Sequence, residues 1–491
     1  MRVKKKQLEE IVGKQNVLHD SRELAGYCRD QSFVQPRTPD FVVFVETVEE
    51  IQGVVALANN GAVPVIPYSS GLNLHGATIP DHGGIVLNMS RMNKILTIDE
   101  ENLFVIVEPG VTYGDLQDAL TKKGLRIMVP LGVPAGRSVL TSYLERDVLL
   151  AAPSFEHGNA LIMDTEIVLP TGELFRTGNW VAGGSPGNPN GPVRSMLQRL
   201  WTGAQGTLGI VTKMVLAVEL LPRERRVFFM PFDSLAAATA AMVRVQYKEI
   251  GMECLLLNRF NLAALFNDVW EVPGEFPAAP RPAAAFERLR SRLPDWVVVL
   301  CLNGPPRHPE EKIAYEAKTL TEVCDMMNVG LQHTVVALPG AQTLMLAEML
   351  RPWGMLKKFN YRGWVHDVSF KAPVESVPDL ERLLYGLAQR YGYPEPDVGG
   401  AMIPLERGRG MHCEFDFHCN HDDEKETDRV HELWLAVSAE LMNHGAYFDR
   451  PYGAWAEMVY NRAGGYTEKL KQIKKELDPN NIMNPGKLCF S

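Results

Sequence analysis

The chain has no C-x-x-C pair. Its seven cysteines (28, 254, 301, 324, 413, 419 and 489) are odd in number and scattered. That pattern excludes an internal iron–sulfur or zinc-ribbon module, argues against a disulfide framework, and leads us to expect reduced thiols and a cytoplasmic protein. Positive charge is not in excess either. Fifty Lys and Arg against 59 Asp and Glu leave a net charge of −9, the wrong sign for a nucleic-acid surface. No apolar run reaches the roughly 20 residues of a membrane-spanning helix. The basic start Met-Arg-Val-Lys-Lys-Lys runs into Gln-Leu-Glu-Glu rather than an apolar core, so no signal peptide is expected. Two phosphate-binding signatures are missing as well: there is no G-x-x-x-x-G-K-S/T, and no G-x-G-x-x-G opens a helix after a strand. Internal repeats and low-complexity tracts are absent.

What is present is an ordinary enzyme composition, 46% hydrophobic and 22% charged over 491 residues, too long for one core. The most informative stretch is Pro64-Val-Ile-Pro-Tyr-Ser-Ser-Gly-Leu-Asn-Leu-His-Gly-Ala-Thr-Ile-Pro80. A β-branched run enters a loop of small residues there, where main-chain amides can converge on an anion. Around it, residues 41–45 read as a strand, 47–59 as a helix opened by a Thr47-x-x-Glu50 capping box, and 63–66, 85–87 and 104–108 as strands. A helix follows at 114–123 and a hairpin at 167–175 around Thr171-Gly172. Beyond a composition shift near 223, two β-α-β-like alternations (297–302 with 309–328, 366–371 with 376–391) are expected. In Met411–Cys419 strict alternation puts His412, Glu414, Asp416 and His418 on one face and Cys413, Phe415, Phe417 and Cys419 on the other. Helices are expected at 426–444 and 464–476.

Five ordered blocks carry a resemblance: the Ser-Ser-Gly loop at 69–76; Val107-Glu-Pro-Gly-Val-Thr-Tyr113; Ser138-Val-Leu-Thr-Ser142 with Glu145-Arg146; Gly206-Thr-Leu-Gly-Ile-Val-Thr-Lys213; and Asp478-Pro-Asn-Asn-Ile-Met-Asn-Pro-Gly-Lys487. Together they resemble the FAD-binding flavoproteins of the vanillyl-alcohol oxidase and p-cresol methylhydroxylase family. The resemblance implies an α+β fold: a two-lobe FAD-binding domain (1–222), a cap or substrate domain (223–440), and a C-terminal segment (441–491) that completes the FAD domain. It implies that FAD is held by Pro67, Tyr68, Ser69, Ser70, Gly71, Leu72, Asn73 and Gly76, by Pro109 and Gly110, by Ser138, Val139 and Ser142, by Gly206, Gly209 and Ile210, and by Asn484 and Lys487. Glycolate-oxidase relatives carry three glycines where Tyr68-Ser69-Ser70-Gly71 stands, which moves the match towards the vanillyl-alcohol branch.

On the substrate side the resemblance implies that Tyr113 and Arg450 bind a phenolate. Asp449 replaces a second tyrosine, for which Tyr447 or Tyr452 could compensate. Read without the resemblance, Tyr113 is a packed core tyrosine, and Arg450 an ion-pair partner of Asp449 or Glu457. Glu156, with His157 as competitor, is the expected carboxylate near the flavin, or else part of a solvent loop. His412 and Glu414 are expected to line the substrate pocket. The family's histidine attachment site has Cys413 in its second position, so a non-covalent flavin is expected, with a link through His412 or Cys413 left open. A metal shared by the whole polar face is disfavoured, because His412 and His418 lie about 20 Å apart on one strand.

The leading expectation is an FAD-dependent oxidoreductase taking hydride from a para-substituted phenol or related aromatic alcohol. Its reoxidation is by dioxygen or a partner redox protein, and it is expected to be a homo-oligomer without nucleic acid. The alternatives are a D-2-hydroxy acid dehydrogenase of the lactate or glycolate type, in which Arg407 or Arg409 clamps a carboxylate, and a flavin-carrying subunit of an electron-transfer complex.

Overall fold

The computed structural model describes residues 3–72, 74–150, 161–182, 184, 196–274, 276, 278–336 and 338–490. Its first layer is a small sheet of β1 (Val17–Leu18), β2 (Phe41–Phe44), β3 (Val65–Tyr68) and β4 (Ile85–Asn88), in the order β1-β2-β4-β3, with β2 and β3 both parallel to β4. Helix Val48–Gly61 links β2 to β3. Thr47 accepts from the Glu50 amide, and the Glu50 carboxylate reaches back to the Thr47 amide, each at 3.2 Å. This reciprocal cap satisfies two otherwise orphaned donors. Ile51, Val54, Val55 and Ala58, at helical spacing, are buried. Each such Val or Ile contributes roughly 1.5–3 kcal/mol of burial. Ligands of open parallel sheets sit beyond the carboxyl ends of the strands; β3 ends at Tyr68 and delivers the chain into the Ser69–Leu72 loop there.

The second layer is an antiparallel sheet of β5 (Ile95–Asp99), β6 (Phe104–Val107), β8 (Ile162–Val168), β9 (Leu174–Arg176) and β10 (Ile210–Ala217), ordered β5-β6-β10-β8-β9. The hairpin at Thr171-Gly172 forms, pairing Val168 with Leu174. Between these strands, β7 (Leu125–Arg126) pairs with β11 (Glu219–Leu220).

The third layer is a six-stranded sheet of β12 (Glu224–Phe232), β13 (Glu253–Asn258), β14 (Trp296–Gly304), β15 (Trp364–Pro373), β16 (Gly399–Leu405) and β17 (Gly410–Cys419), ordered β12-β14-β13-β16-β17-β15. The expected β-α-β alternation has its helices at Pro309–Met327 and Val377–Arg390, but every pairing in this sheet is antiparallel. The helix Val377–Arg390 carries the chain from β15 to β16 past β17, which pairs antiparallel with both and separates two strands that would otherwise be parallel neighbours. Cys413, Phe415, Phe417 and Cys419 enter the apolar core beneath the sheet, as the alternation requires. Ala446, Phe448 and Trp455 join that same core. The chain then returns to the first layer, where Val65 donates to Ile482 O at 2.7 Å and Asn484 donates to Val65 O at 2.9 Å. Lys474 holds the return with bonds to Thr207 O (2.7 Å), Asp478 (2.5 Å) and Met483 O (2.8 Å). Among the described residues no helix is long and apolar enough to cross a membrane.

One ion pair ties the second layer to the third. Arg126 Nη1 meets Glu253 Oε1 at 2.6 Å with both side chains buried, and Nη2 meets Glu219 at 3.1 Å. Removing one partner of a buried pair leaves an uncompensated charge. Arg126→Leu is expected to cost about 3–5 kcal/mol, read as a lower urea midpoint, and Arg126→Leu with Glu253→Leu to recover part of that loss.

Candidate active site

Two adjoining cavities lie where the three layers meet. The first spans about 780 Å³, partly open to solvent, and is lined by Pro67–Leu72, by Pro109, Leu140, Thr141 and Glu145, and by Trp201, Gln205, Gly206, Gly209 and Ile210. No described residue accepts from the main-chain amides of Ser69, Ser70, Gly71 or Leu72. Unpartnered amides at a cavity wall are what a pyrophosphate needs. The loop is held from behind: Ser138 N donates to Ser70 Oγ (3.1 Å), Ser69 Oγ pairs with Thr141 Oγ1 (2.7 Å), and Arg137 donates to Leu72 O (2.7 Å). The glycines are there for space and conformation. Gly206 has φ 71°, and a Cβ on it would stand 2.8 Å from Pro67 Cγ. The wall therefore fits a dinucleotide-sized cofactor whose phosphates meet backbone donors.

Ser138, Val139, Ser142, Gly76, Gly110, Asn484 and Lys487 do not line this cavity; they stand behind its wall. Ser138 caps helix Val139–Leu144 by accepting from Thr141 N, and donates to Pro109 O at 2.6 Å. Asn484 donates to Ala77 O and Gln205 O at 3.1 and 2.7 Å, clamping two walls together, and Lys487 pairs with Asp81 at 3.1 Å. Asn73, Glu156 and His157 lie outside the described residues.

The second cavity, about 1,020 Å³, shares Leu72 and Arg137 with the first and lies under the cap sheet. It is unusually ionic. Asp147 accepts from Arg137 Nε at 3.0 Å, Arg137 Nη2 at 2.8 Å, Ser142 Oγ at 2.7 Å and Arg450 Nη1 at 2.6 Å. Burial raises its pKa, but the two guanidiniums outweigh that and hold it below the usual carboxylate range. Arg450 thus pairs with Asp147, 303 residues away, rather than with Asp449 or Glu457; Asp449 instead meets Lys371 at 3.3 Å. Tyr113 stands behind this cluster. It is fully buried in the core of the second layer and donates to Ser142 Oγ at 3.0 Å. It lines neither cavity, and burial drives its phenol far above the ordinary value.

The cap contributes His412, Glu414 and Asp416 from β17, with Lys358 between the two carboxylates at 2.8 Å from each. Burial and then the neighbouring Glu414 charge push Asp416 upward, whereas for Glu414 burial is outweighed by Lys358 and the pKa falls. His412 is buried and pushed down to about 4, so it is neutral at pH 7. His418 is beyond the cavity, packed on Phe260 with ring centres 4.4 Å apart. Cys413 points into the cap core, which removes it as an attachment site for a ligand of either cavity. Tyr452 lines the second cavity and donates to Glu145, a residue of the first; Tyr447 is 60% exposed and lines neither. Arg407 and Arg409 are exposed and paired with Glu249 (2.8 Å) and Glu406 (3.0 Å), away from both cavities. Among the described residues no group of three His, Cys, Asp or Glu is placed to hold a metal.

Sequence reading missed Arg137, Asp147, Lys358, Asp367 and His75 in this cavity. Asp416 had a signal, its alternation with Glu414 on one strand face. Arg137 had another, adjacency to Ser138. Lys358 sits in a 3-10 turn, Gly354–Asn360, with no local pattern to announce it.

Glu145 is pushed up to about 7, first by burial. A carboxyl raised in the folded state contributes stability that is fully present below its unfolded value near 4.5 and is lost as pH rises to about 7. Glu145→Gln is therefore expected to flatten the fall in unfolding free energy between pH 4.5 and 7. Glu348 and Glu381, also raised to about 7, keep their share of the slope. Gly206→Val should cost the protein its yellow FAD on gel filtration. Gly26→Ala, where an added Cβ meets nothing within 4 Å, should retain it.

Residues 39–178 match the family described as FAD binding domain, and residues 221–488 match FAD linked oxidases, C-terminal domain. The chain is 26% identical, over 97% of its length and 93% of the relative's, to the flavoprotein subunit of the hydroxylating 4-cresol dehydrogenase of Pseudomonas putida. It is 24% identical, over 99% of its length and 96% of the relative's, to a glycolate oxidase subunit of Bacillus subtilis (strain 168). Among solved structures, p-cresol methylhydroxylase with substrate bound superposes at a TM-score of 0.83 with 21% identity, covering 99% of this chain and 96% of that one. The fold is thus of the p-cresol methylhydroxylase type and the cofactor is FAD. With more than half its length matched to their C-terminal domain, this chain belongs to the FAD-linked oxidases and is an oxidoreductase.

Proposed function

We propose that this chain oxidises a para-substituted phenol or a related aromatic alcohol, with the substrate in the ionic cavity under the cap and FAD, non-covalently bound, in the adjoining one. The observation that carries the reading is that every cation lining the substrate cavity is already paired. Arg137 and Arg450 meet Asp147, and Lys358 meets Glu414 and Asp416. Asp367 adds a fourth carboxylate. Three cations against four carboxylates leave no net positive charge, so the carboxylate of a 2-hydroxy acid would add a further anion to a cavity already in excess of negative charge. A neutral hydroxyl meets no such barrier.

Bound FAD supplies a hydride acceptor. The chain's own residues would hold the substrate and manage one proton. Arg450, bonded to Asp147 through Nη1, still has Nη2 and Nε to stabilise a phenolate oxygen electrostatically. Tyr452 bridges the two cavities with its hydroxyl on the Glu145 carboxylate. In this reading the substrate hydroxyl passes its proton to Tyr452 Oη as the Tyr452 proton moves to Glu145, a base poised near neutrality by burial. The developing phenolate pushes electron density through the ring towards the para substituent, whose benzylic C–H then loses hydride. Reoxidation by a partner redox protein is supported by the flavoprotein-subunit relative; hydrogen peroxide release measures the dioxygen alternative.

Anaerobic mixing with 4-hydroxybenzyl alcohol is expected to bleach the flavin, and mixing with D-lactate to leave it oxidised. The reverse pattern establishes the hydroxy-acid reading, and no bleaching by either establishes the electron-transfer subunit. The rate of bleaching should rise with pH through about 7 as Glu145 loses its proton, a dependence that Glu145→Gln abolishes. Arg450→Met should lower the bleaching rate about 100-fold or more, as loss of a donor to a developing oxyanion does elsewhere.

A further inference from the structure

A third cavity, about 710 Å³, opens beside the ionic one and shares Leu74, His75, Val365, Asp367 and Tyr452 with it. Its character changes abruptly beyond that neck. Phe33 is sandwiched between His366 (ring centres 3.9 Å, 17°) and His431 (4.1 Å, 16°). Trp434 stacks on Trp455 at 4.9 Å and 20°. The neck itself is His75 lying flat on Tyr452 at 5.0 Å and 14°. Beyond the neck, the described lining residues include five aromatic rings (Phe33, His366, His431, Trp434 and Trp455) and no Lys, Arg, Asp or Glu.

Its histidines do not make it cationic: burial lowers His366 to about 3 and also lowers His431. Behind the wall, one buried polar atom is unsatisfied among the described residues. His366 is 5% exposed, and its Nε2 has no hydrogen-bond partner among the described residues. An unpaired buried imidazole nitrogen is costly unless something supplies a partner.

We infer that this box is a second substrate subsite, and that the substrate carries two aromatic rings: the hydroxyl-bearing ring in the ionic cavity, and a second, uncharged ring among Phe33, Trp434 and Trp455. The inference rests on the phenol reading of the ionic cavity and extends it from a reacting group to a substrate class, the two-ring phenols. Continuity selects the occupant. A box that opens onto the ionic cavity through a shared neck is filled by the far end of whatever occupies that cavity. Aromatic walls offer offset and edge contacts to a ring, and the lack of free charge beyond the neck disfavours an ionised tail.

The test compares phenol with 4-phenylphenol, neither of which has a benzylic C–H to oxidise, as ligands of the flavin-loaded protein in isothermal titration calorimetry. Burying the extra ring should tighten binding at least about tenfold. Phe33→Ala, and Ala454→Phe, which adds a ring at another lining position, should each abolish that advantage. Both should leave phenol affinity within about twofold, and both should keep their flavin and a single cooperative melting transition. Phenol bound with no preference for 4-phenylphenol overturns the second subsite while leaving the phenol reading intact. A preference that survives both variants places the second ring elsewhere and also overturns it. Binding of neither phenol to the yellow protein overturns the phenol reading and this one together.

Discussion

Four donors converge on the Asp147 carboxylate, and much of the site's arrangement follows from that convergence. Two come from Arg137, which also grips the phosphate-loop carbonyl of Leu72; one comes from Ser142, itself the acceptor for Tyr113; and one comes from Arg450, on the returning C-terminal segment. A single buried anion thereby couples the Ser69–Leu72 loop of the first cavity, the core of the second layer and the far end of the chain. Two guanidiniums and a hydroxyl around one carboxylate keep it ionised in a site that would otherwise neutralise it. The arrangement also explains why Tyr113 is a supporting residue: its hydroxyl orients Ser142, and Ser142 completes the coordination of Asp147.

The same logic governs the cap. Lys358 lies between Glu414 and Asp416, so the face of β17 turned to the substrate is charged yet locally compensated. Neutral imidazole at His412 adds no further charge. A cavity built this way has a strong field and no unclaimed cation. It favours a ligand that arrives neutral and becomes charged in place, where Arg450 can meet the charge as it develops. Across the His75–Tyr452 neck the space divides into a compartment of paired charges and one of aromatic rings.

Local order was legible in the residues. The Thr47–Glu50 cap, the Thr171-Gly172 hairpin and the alternation through Met411–Cys419 are each set by a pattern spanning a few residues, and each appears where that pattern places it. The Ser69–Leu72 loop was legible for the same reason: short side chains after a β-branched run leave amides exposed. Tyr113 and Arg450 were harder to read, because their significance depends on Ser142 and Asp147, partners that no spacing rule brings to mind. The antiparallel course of the cap sheet was hidden likewise, since strand direction depends on which excursions become neighbours.

By itself the chain determined its family and its flavin, and it pointed to the Ser69–Leu72 amides as a backbone cradle, because glycines, serines and caps act through their own or adjacent peptide groups. Only the folded structure decided which charges cancel. Asp147 with Arg450 and Lys358 with Glu414 are pairs 303 and 56 residues apart. A desolvated ion's partner is chosen by distance in space, which linear order does not encode.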